Sequence, residues 1–419
     1  MTVSPRAWSQ LANHVRRHVK GQFELDPTLI HLNAMLVASP PKRVREAIRI
    51  HREAIDKNPA GHILERIGVK RERRAVQQAA RVADNAAKYL GLGKFLKANN
   101  LTGTSVIAQT TSTTMGLALL ANGIAARPGQ EVLLSIHEFF AWRESWQSRC
   151  ARSDLRYREI RLFRDPTTDD LQQTIIEEVE GQIRENTRVL ALVWVDSATG
   201  VKLPIRRIGD LVRDLNRRRA PADQIIFCVD GVHGFGVENT AFQDLHCDFL
   251  VSGCHKWLFG PRGTGIICAL PEAWVLVTPT IPSFLPIPTP GAVNTPGGVQ
   301  TYEYAWAVSE AFAFHRGIGK RAVEQYTYGL ASLLKQGLAA IPNVRVVTPI
   351  QAALSSGIVC CDVGRHPDVV EDRLRKLGIL ATTSSDADDK PFLRFSPSIL
   401  NDEAQIAVTL KALARIMRR

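Results

Sequence analysis

Between residues 104 and 270 the chain alternates short apolar runs with longer amphipathic segments. The apolar runs fall near 104–109, 131–135, 155–160, 188–195, 224–229, 247–252 and 265–270. Apolar positions spaced as on one face of a helix lie between most of the earlier ones, at 112–125, 141–152, 168–185 and 205–218. Apolar runs this short suit strands buried on both faces, and strand–helix alternation predicts an α/β fold. The expected core is a seven-stranded, mainly parallel sheet sandwiched by helices. Ahead of it, 43–60 and 70–91 read as charged amphipathic helices. The proline-dense stretch from Thr278 to Pro290 ends the alternation, because proline lacks the N–H that a helix or central strand requires. A long helix follows from about 303 and another at 320–340. Strands at 343–348, 356–363 and 392–396, with helices at 367–377 and 402–418, predict a smaller α+β C-terminal domain. The expected division is an N-terminal segment 1–30, a large domain 31–290 and a small domain 291–419 that includes the connecting helix, with a site between the two domains.

Composition narrows the class. The chain has 419 residues, enough for two domains with ample core. No apolar run approaches the roughly 18 residues of a membrane span. The N-terminus is basic but has neither an apolar centre nor a small-residue cleavage site, so a cytoplasmic protein is expected. The formal net charge of +12 raises the question of nucleic acid. The basic residues are spread out, however, the densest run being Lys70–Arg74 on an expected helix, and no nucleic-acid motif accompanies them. A solvated basic surface, or one that steers an anionic cofactor or substrate, fits better than a nucleic-acid partner. The seven cysteines show no CxxC pairing, and Cys228, Cys268, Cys360 and Cys361 sit in apolar runs, as small core hydrophobes do. No metal site is expected.

The stretch from Ser252 to Gly265, SGCHKWLFGPRGTG, places Lys256 in a turn punctuated by Gly260, Gly263 and Gly265. Asp230 closes the earlier apolar run Ile225–Val229, far enough upstream for one strand to leave and the next to return to the same edge. A lysine and an aspartate so placed are what pyridoxal 5′-phosphate requires. The ε-amine forms a Schiff base with the cofactor aldehyde, and the carboxylate keeps the pyridine nitrogen protonated, so that the ring accepts electrons from a bond broken at the substrate α-carbon. The plainer alternatives are a surface lysine and a strand-end cap. His233 could reach the cofactor's phenolic oxygen or simply pack. Thr111, Ser112 and Thr113, between the run ending at Gln109 and the helix beyond, offer hydroxyls and a helix N-terminus to a phosphate, although such residues also simply cap helices.

The most specific of these features, Asp230-x-x-His233 with Cys254-His-Lys-Trp-Leu258, resembles the class V aminotransferase family of fold-type I pyridoxal phosphate enzymes, on the branch of isopenicillin N epimerase. Ser197-Ala-Thr-Gly200 and Leu393-Arg394-Phe-Ser396-Pro support the resemblance, which runs from about residue 30 to the C-terminus. It implies further roles. His137 covers one face of the cofactor ring, Ser197 stands beside the phenolic oxygen, and His255 lies on the phosphate side. Arg394 grips the substrate α-carboxylate, a task suited to its bidentate fork, unless it forms only a surface salt bridge. A homodimer with the site at its interface is also implied. Two places depart from the family pattern: Thr111–Thr113 at the phosphate loop, and Gly297–Glu303 where a glycine-threonine pair is often donated by the partner subunit.

Pyridoxal phosphate supports elimination, epimerisation, transamination and decarboxylation, and the protein selects among them. A desulfurase of this family needs a nucleophilic cysteine on the loop before the arginine, and 381–390 contains none. An epimerase needs a second proton donor opposite Lys256, for which His137, Tyr302 and Tyr304 are candidates. A C–S β-lyase acting on a cysteine S-conjugate needs Lys256 and an acid near the leaving group, and it is the preferred expectation. Epimerase, aminotransferase and decarboxylating oxidative deaminase are the alternatives, and a non-catalytic scaffold is the reading from a different class.

Overall fold

The computed structural model describes residues 4–67 and 72–418. All seven expected strands form, and they join one sheet: β1 Ile107–Thr110, β2 Glu131–Ser135, β3 Arg156–Ile160, β4 Thr187–Val193, β5 Ile226–Asp230, β6 Phe249–Gly253 and β7 Gly265–Cys268. Their order is β1-β7-β6-β5-β4-β2-β3. Only β7 runs antiparallel to its neighbours. Every residue of β2, β4, β5 and β6 is buried, which is why the centres of these strands read as continuous apolar runs rather than alternating ones, with polar residues at their ends. Helices cover both faces, and separate apolar clusters lie on either side of the sheet.

The register fixes one functional edge. Asp230 pairs with Val193 and with Val251, while Gly265 pairs with both Gly253 and Thr110. The carboxyl ends of the parallel strands and the turns at both ends of this line therefore meet at one rim, where ligands of open α/β sheets bind.

The C-terminal part of the chain holds a four-stranded sheet in which β8 Val359–Asp362, β9 Thr382–Ser385 and β10 Pro391–Phe395 are antiparallel neighbours in the order β8-β10-β9. Strand β9 was not expected: its Thr-Thr-Ser-Ser sequence has no apolar alternation, because it is a half-exposed edge strand held by pairing alone. The expected helix at 43–60 is two helices, Lys42–Lys57 and Pro59–Leu64, since Pro59 lacks an N–H and the Asn58 side chain caps the second by accepting from the Gly61 N–H at 3.1 Å. The helix expected at 70–91 begins at Arg74; Glu72–Arg73 instead pairs with Arg66–Ile67, and Lys70 and Arg71 lie outside the described residues.

The N-terminal segment is firmly built in. Helix Pro5–Val19 buries Ala12 and Val15 in an apolar cluster shared with Phe259 and the C-terminal helices and strands, and Trp8 stacks on Tyr326 with centroids 5.4 Å apart. The chain then passes the site: the Leu32 carbonyl accepts from Ser396 N–H at 2.7 Å, and the Ala38 N–H donates to the His255 carbonyl at 2.9 Å. All seven cysteines are buried and unpaired. No helix of the described residues is long and apolar enough to cross a membrane.

Candidate active site

Lys256 follows the end of β6 in the connection to β7, a tight loop closed by Gly260 N–H donating to Cys254 carbonyl at 2.7 Å and Phe259 N–H donating to Lys256 carbonyl at 3.0 Å. Phe259 takes a left-handed φ of 57°, an uncommon conformation for a bulky side chain. Its ring is fully buried, edge-on to Phe23 at 5.5 Å and stacked near His315 at 6.1 Å, so packing holds the strained turn that aims Lys256. Phe259→Ala removes that anchor and should lower unfolding stability by about 3–5 kcal/mol, read by denaturant titration.

Asp230 sits at the tip of β5, 1 % exposed, where one carboxylate oxygen accepts the Val232 N–H at 3.0 Å. Burial pushes its pKa up to about 6, against the pull of that hydrogen bond and of Lys256. Lys256 is pushed down to about 8, mainly by burial and further by Arg394, with Asp230 opposing. A half-buried amine faces a buried carboxyl that has little else to pair with.

Arg394 lies on β10, 8 % exposed, with Nε donating to Thr382 Oγ1 at 3.0 Å and Nη1 to the Ser197 carbonyl at 2.6 Å. Among the described residues no carboxylate pairs with it, and burial lowers its pKa without discharging it. A buried guanidinium without an anion is costly to hold. Its two protein contacts fix the fork and leave Nη2 for an incoming carboxylate. Ser197 therefore acts here through its backbone, as a support for Arg394.

The hydroxyl cluster divides. Thr113 is buried with Oγ1 unpartnered; Ser112 Oγ caps helix Thr113–Gly123 by accepting from Met115 N–H at 3.0 Å; Thr111 is exposed with its hydroxyl on Met115 Sδ at 3.3 Å. The His255 Nδ1 is a second orphan. Both converge on Gly253, where an added Cβ would lie 2.9 Å from Thr113 Oγ1 and 3.0 Å from His255 Nδ1. Two unsatisfied polar atoms meeting at a helix N-terminus, beside a position that admits no side chain, fit a phosphate group.

His137, beyond β2, stacks on Phe163 with centroids 4.0 Å apart and planes 11° from parallel. Its Nε2 is buried and unpartnered, and burial chiefly holds its pKa below the usual histidine range. His233 is 3 % exposed and is pushed well down by burial, with Lys256, Arg394 and His255 adding to the effect, so it is neutral. The structure thus brings Lys256, Asp230, His233, His255, Thr113 and Arg394 together, with Ser197 behind Arg394. Sequence reasoning overlooked Thr382, Phe163, Trp257 and the passing segment 32–38. Their roles come from cross-strand register and ring stacking, which leave no local motif.

A parallel-rich α/β sheet whose carboxyl edge joins an amine–carboxylate pair, an anion cradle and an unpaired arginine defines the class of pyridoxal phosphate enzymes of fold-type I. Residues 92–395 match the family described as aminotransferase class V, and the chain belongs to that family. It is 25% identical over 405 residues to the isopenicillin N epimerase of Streptomyces clavuligerus, covering 92% of this chain and 94% of that one. Its fold resembles apo cysteine desulfurase from Thermococcus onnurineus NA1 (TM-score 0.80, 18% identity, 96% of this chain and 98% of that one). It also resembles the cystine C–S lyase C-DES in complex with its product cysteine persulfide (TM-score 0.78, 20% identity, 93% and 98%). The protein is a pyridoxal phosphate-dependent enzyme of the class V family that acts on an amino acid.

Proposed function

We propose that the enzyme cleaves the C–S bond of a cysteine S-conjugate by β-elimination. Asp230, Lys256, His233, His255 and Thr113 would hold the cofactor, with the helix N-terminus at Ser112 and Thr111 beside its phosphate and His137 against its ring. The cofactor, when bound, supplies an electron sink conjugated to the substrate α-carbon. Arg394 binds the α-carboxylate and Lys256, once its amine is free and neutral, takes the α-proton. The C–S electron pair leaves with sulfur, which receives a proton from the Lys256 ammonium. One water converts the three-carbon remainder to pyruvate and ammonia. No oxidant or reductant is needed.

The observation that carries this reading is that a lysine lowered to about 8 stands beside Asp230 and Arg394 as the base for the α-proton, whereas His137, the candidate for the opposite face, is stacked on Phe163 and burial lowers its pKa. A desulfurase reading lacks its nucleophile. The turn between β9 and β10 has no cysteine, and Cys360, beside Arg394 on β8, is fully buried with its thiol pushed up to about 12, mainly by burial. Cys360→Ala is therefore expected to keep kcat/KM within about twofold. The test of the proposal is pyruvate release from S-alkyl cysteines by the holoenzyme; conversion without pyruvate sinks it.

Epimerisation is the second reading, favoured by the similarity to the Streptomyces clavuligerus enzyme over nearly the whole chain. In deuterated water it would exchange the α-proton with inversion of configuration and release no pyruvate. We further propose a homodimer: Phe139 and Phe140, in mutual ring contact at 4.5 Å just beyond His137, are 46% and 58% exposed, which suits burial by a second copy. Sedimentation at micromolar concentration tests this, a monomer being the contrary result.

A further inference from the structure

Trp257 follows Lys256 directly and is 2 % exposed. Its indole Nε1–H donates to Nδ1 of His233 at 3.3 Å, and among the described residues no other hydrogen bond reaches that imidazole. An indole nitrogen can only donate, so Nδ1 must offer its lone pair. A neutral imidazole then carries its proton on Nε2. The groups facing the ring are Lys256, His255 and Arg394, none of which would help it take a second proton.

The indole's own position is tightly set. A Cβ on Gly357 would come within 2.6 Å of Trp257 Cη2, and one on Gly236 within 2.7 Å of the Trp257 backbone carbon. Gly236 thus admits the Trp257 backbone and Gly357 the far edge of its ring, which together set the direction of the indole N–H.

We propose that Trp257 is a positioning residue that locks His233 in the Nε2–H tautomer, so that His233 meets the cofactor's phenolic oxygen as a fixed donor and never as a proton acceptor. The second half rests on the cofactor site described above. An unlocked imidazole would spend part of its time with the Nε2 lone pair toward that oxygen, where two acceptors repel. A fixed donor favours the more anionic, deprotonated form of the lysine-bound cofactor, which lowers the pH at which its absorbance changes.

The experiment uses holoenzyme labelled with nitrogen-15 in histidine, its His233 signals assigned by their loss in His233→Gln. Two-bond proton–nitrogen spectra of the wild type should show Nε2–H with Nδ1 unprotonated; Nδ1–H overturns the proposal without any Trp257 variant, so it stays testable if Trp257→Phe does not fold. In Trp257→Phe, which keeps an aromatic ring and loses the donor, both nitrogens should move toward averaged shifts. The absorbance midpoint should rise by about one pH unit. In a His233→Gln background, where the amide donor has no tautomers, Trp257→Phe should add no further shift. An equal shift in both backgrounds means that Trp257 only packs, and it overturns the proposal. A tautomer set by Trp257 with a midpoint unmoved by either variant would show instead that His233 does not face the cofactor oxygen, which overturns the second half together with that part of the site assignment.

Discussion

Lys256→Ala is expected to reduce turnover by at least about 10⁴-fold, because one substitution removes both the cofactor's attachment point and the group assigned to take the α-proton. The wild-type profile should carry the same signature. The amine accepts the α-proton only when free and neutral, so kcat should rise with pH until that amine is deprotonated in the substrate complex and level above it. The variant's residual rate should show no such rise. Stability also rises with pH, but in its own window. In the unliganded protein the folded value of about 8 lies below the ordinary 10.5, so between these pH values the unfolded chain holds a proton that the folded one has released. The lysine's penalty is therefore full below about pH 8 and relieved as pH rises toward 10.5. At pH 7 unliganded Lys256→Ala should melt no lower than wild type, and its melting temperature should lack that pH dependence. An inactive variant with a sharply lowered melting temperature would point to a structural lysine instead.

The sheet was legible because strands buried on both faces are apolar through their centres, and runs such as Val189–Val193 of β4 and Phe249–Val251 of β6 leave few alternatives. The Lys256–Asp230 pair was legible for a related reason: both sit at strand ends whose positions the hydrophobic pattern dictates, so the register had to bring them to one rim. What escaped detection depends on contacts between distant segments. Strand β9 is half-exposed and polar, and its Thr382 supports Arg394 through a register that no local pattern encodes. The sequence assigned no site role to the chain before residue 40, yet Phe23 braces the Lys256 loop and Ala38 binds the His255 carbonyl across more than half the chain. The sequence left Thr111–Thr113 between phosphate binding and helix capping without telling the three apart; the structure commits Ser112 to the cap and leaves Thr113 unsatisfied. Composition names the donors; only packing decides which remain free.

Arg394→Met is expected to lower kcat/KM for the amino-acid substrate by about 10²-fold, chiefly through KM, since it deletes a charge-assisted carboxylate contact while roughly preserving side-chain volume. Among the described residues the guanidinium forms no ion pair, Asp196 favouring its charge only without contact, so the substitution should leave the unliganded protein at least as stable as wild type; a surface salt-bridge role would instead cost stability and spare KM. The absorbance of the lysine-bound cofactor should keep its wavelength, because Arg394 is assigned to substrate alone. Arg394→Lys should restore only part of the loss: a single ammonium cannot hold Thr382 Oγ1 and the Ser197 carbonyl while also presenting a planar fork. An analogue without the α-carboxylate should be processed equally poorly by wild type and Arg394→Met. If the variant discriminates against it as strongly as wild type does, the carboxylate is bound elsewhere and the assignment of Arg394 fails, with Lys256 and Asp230 untouched.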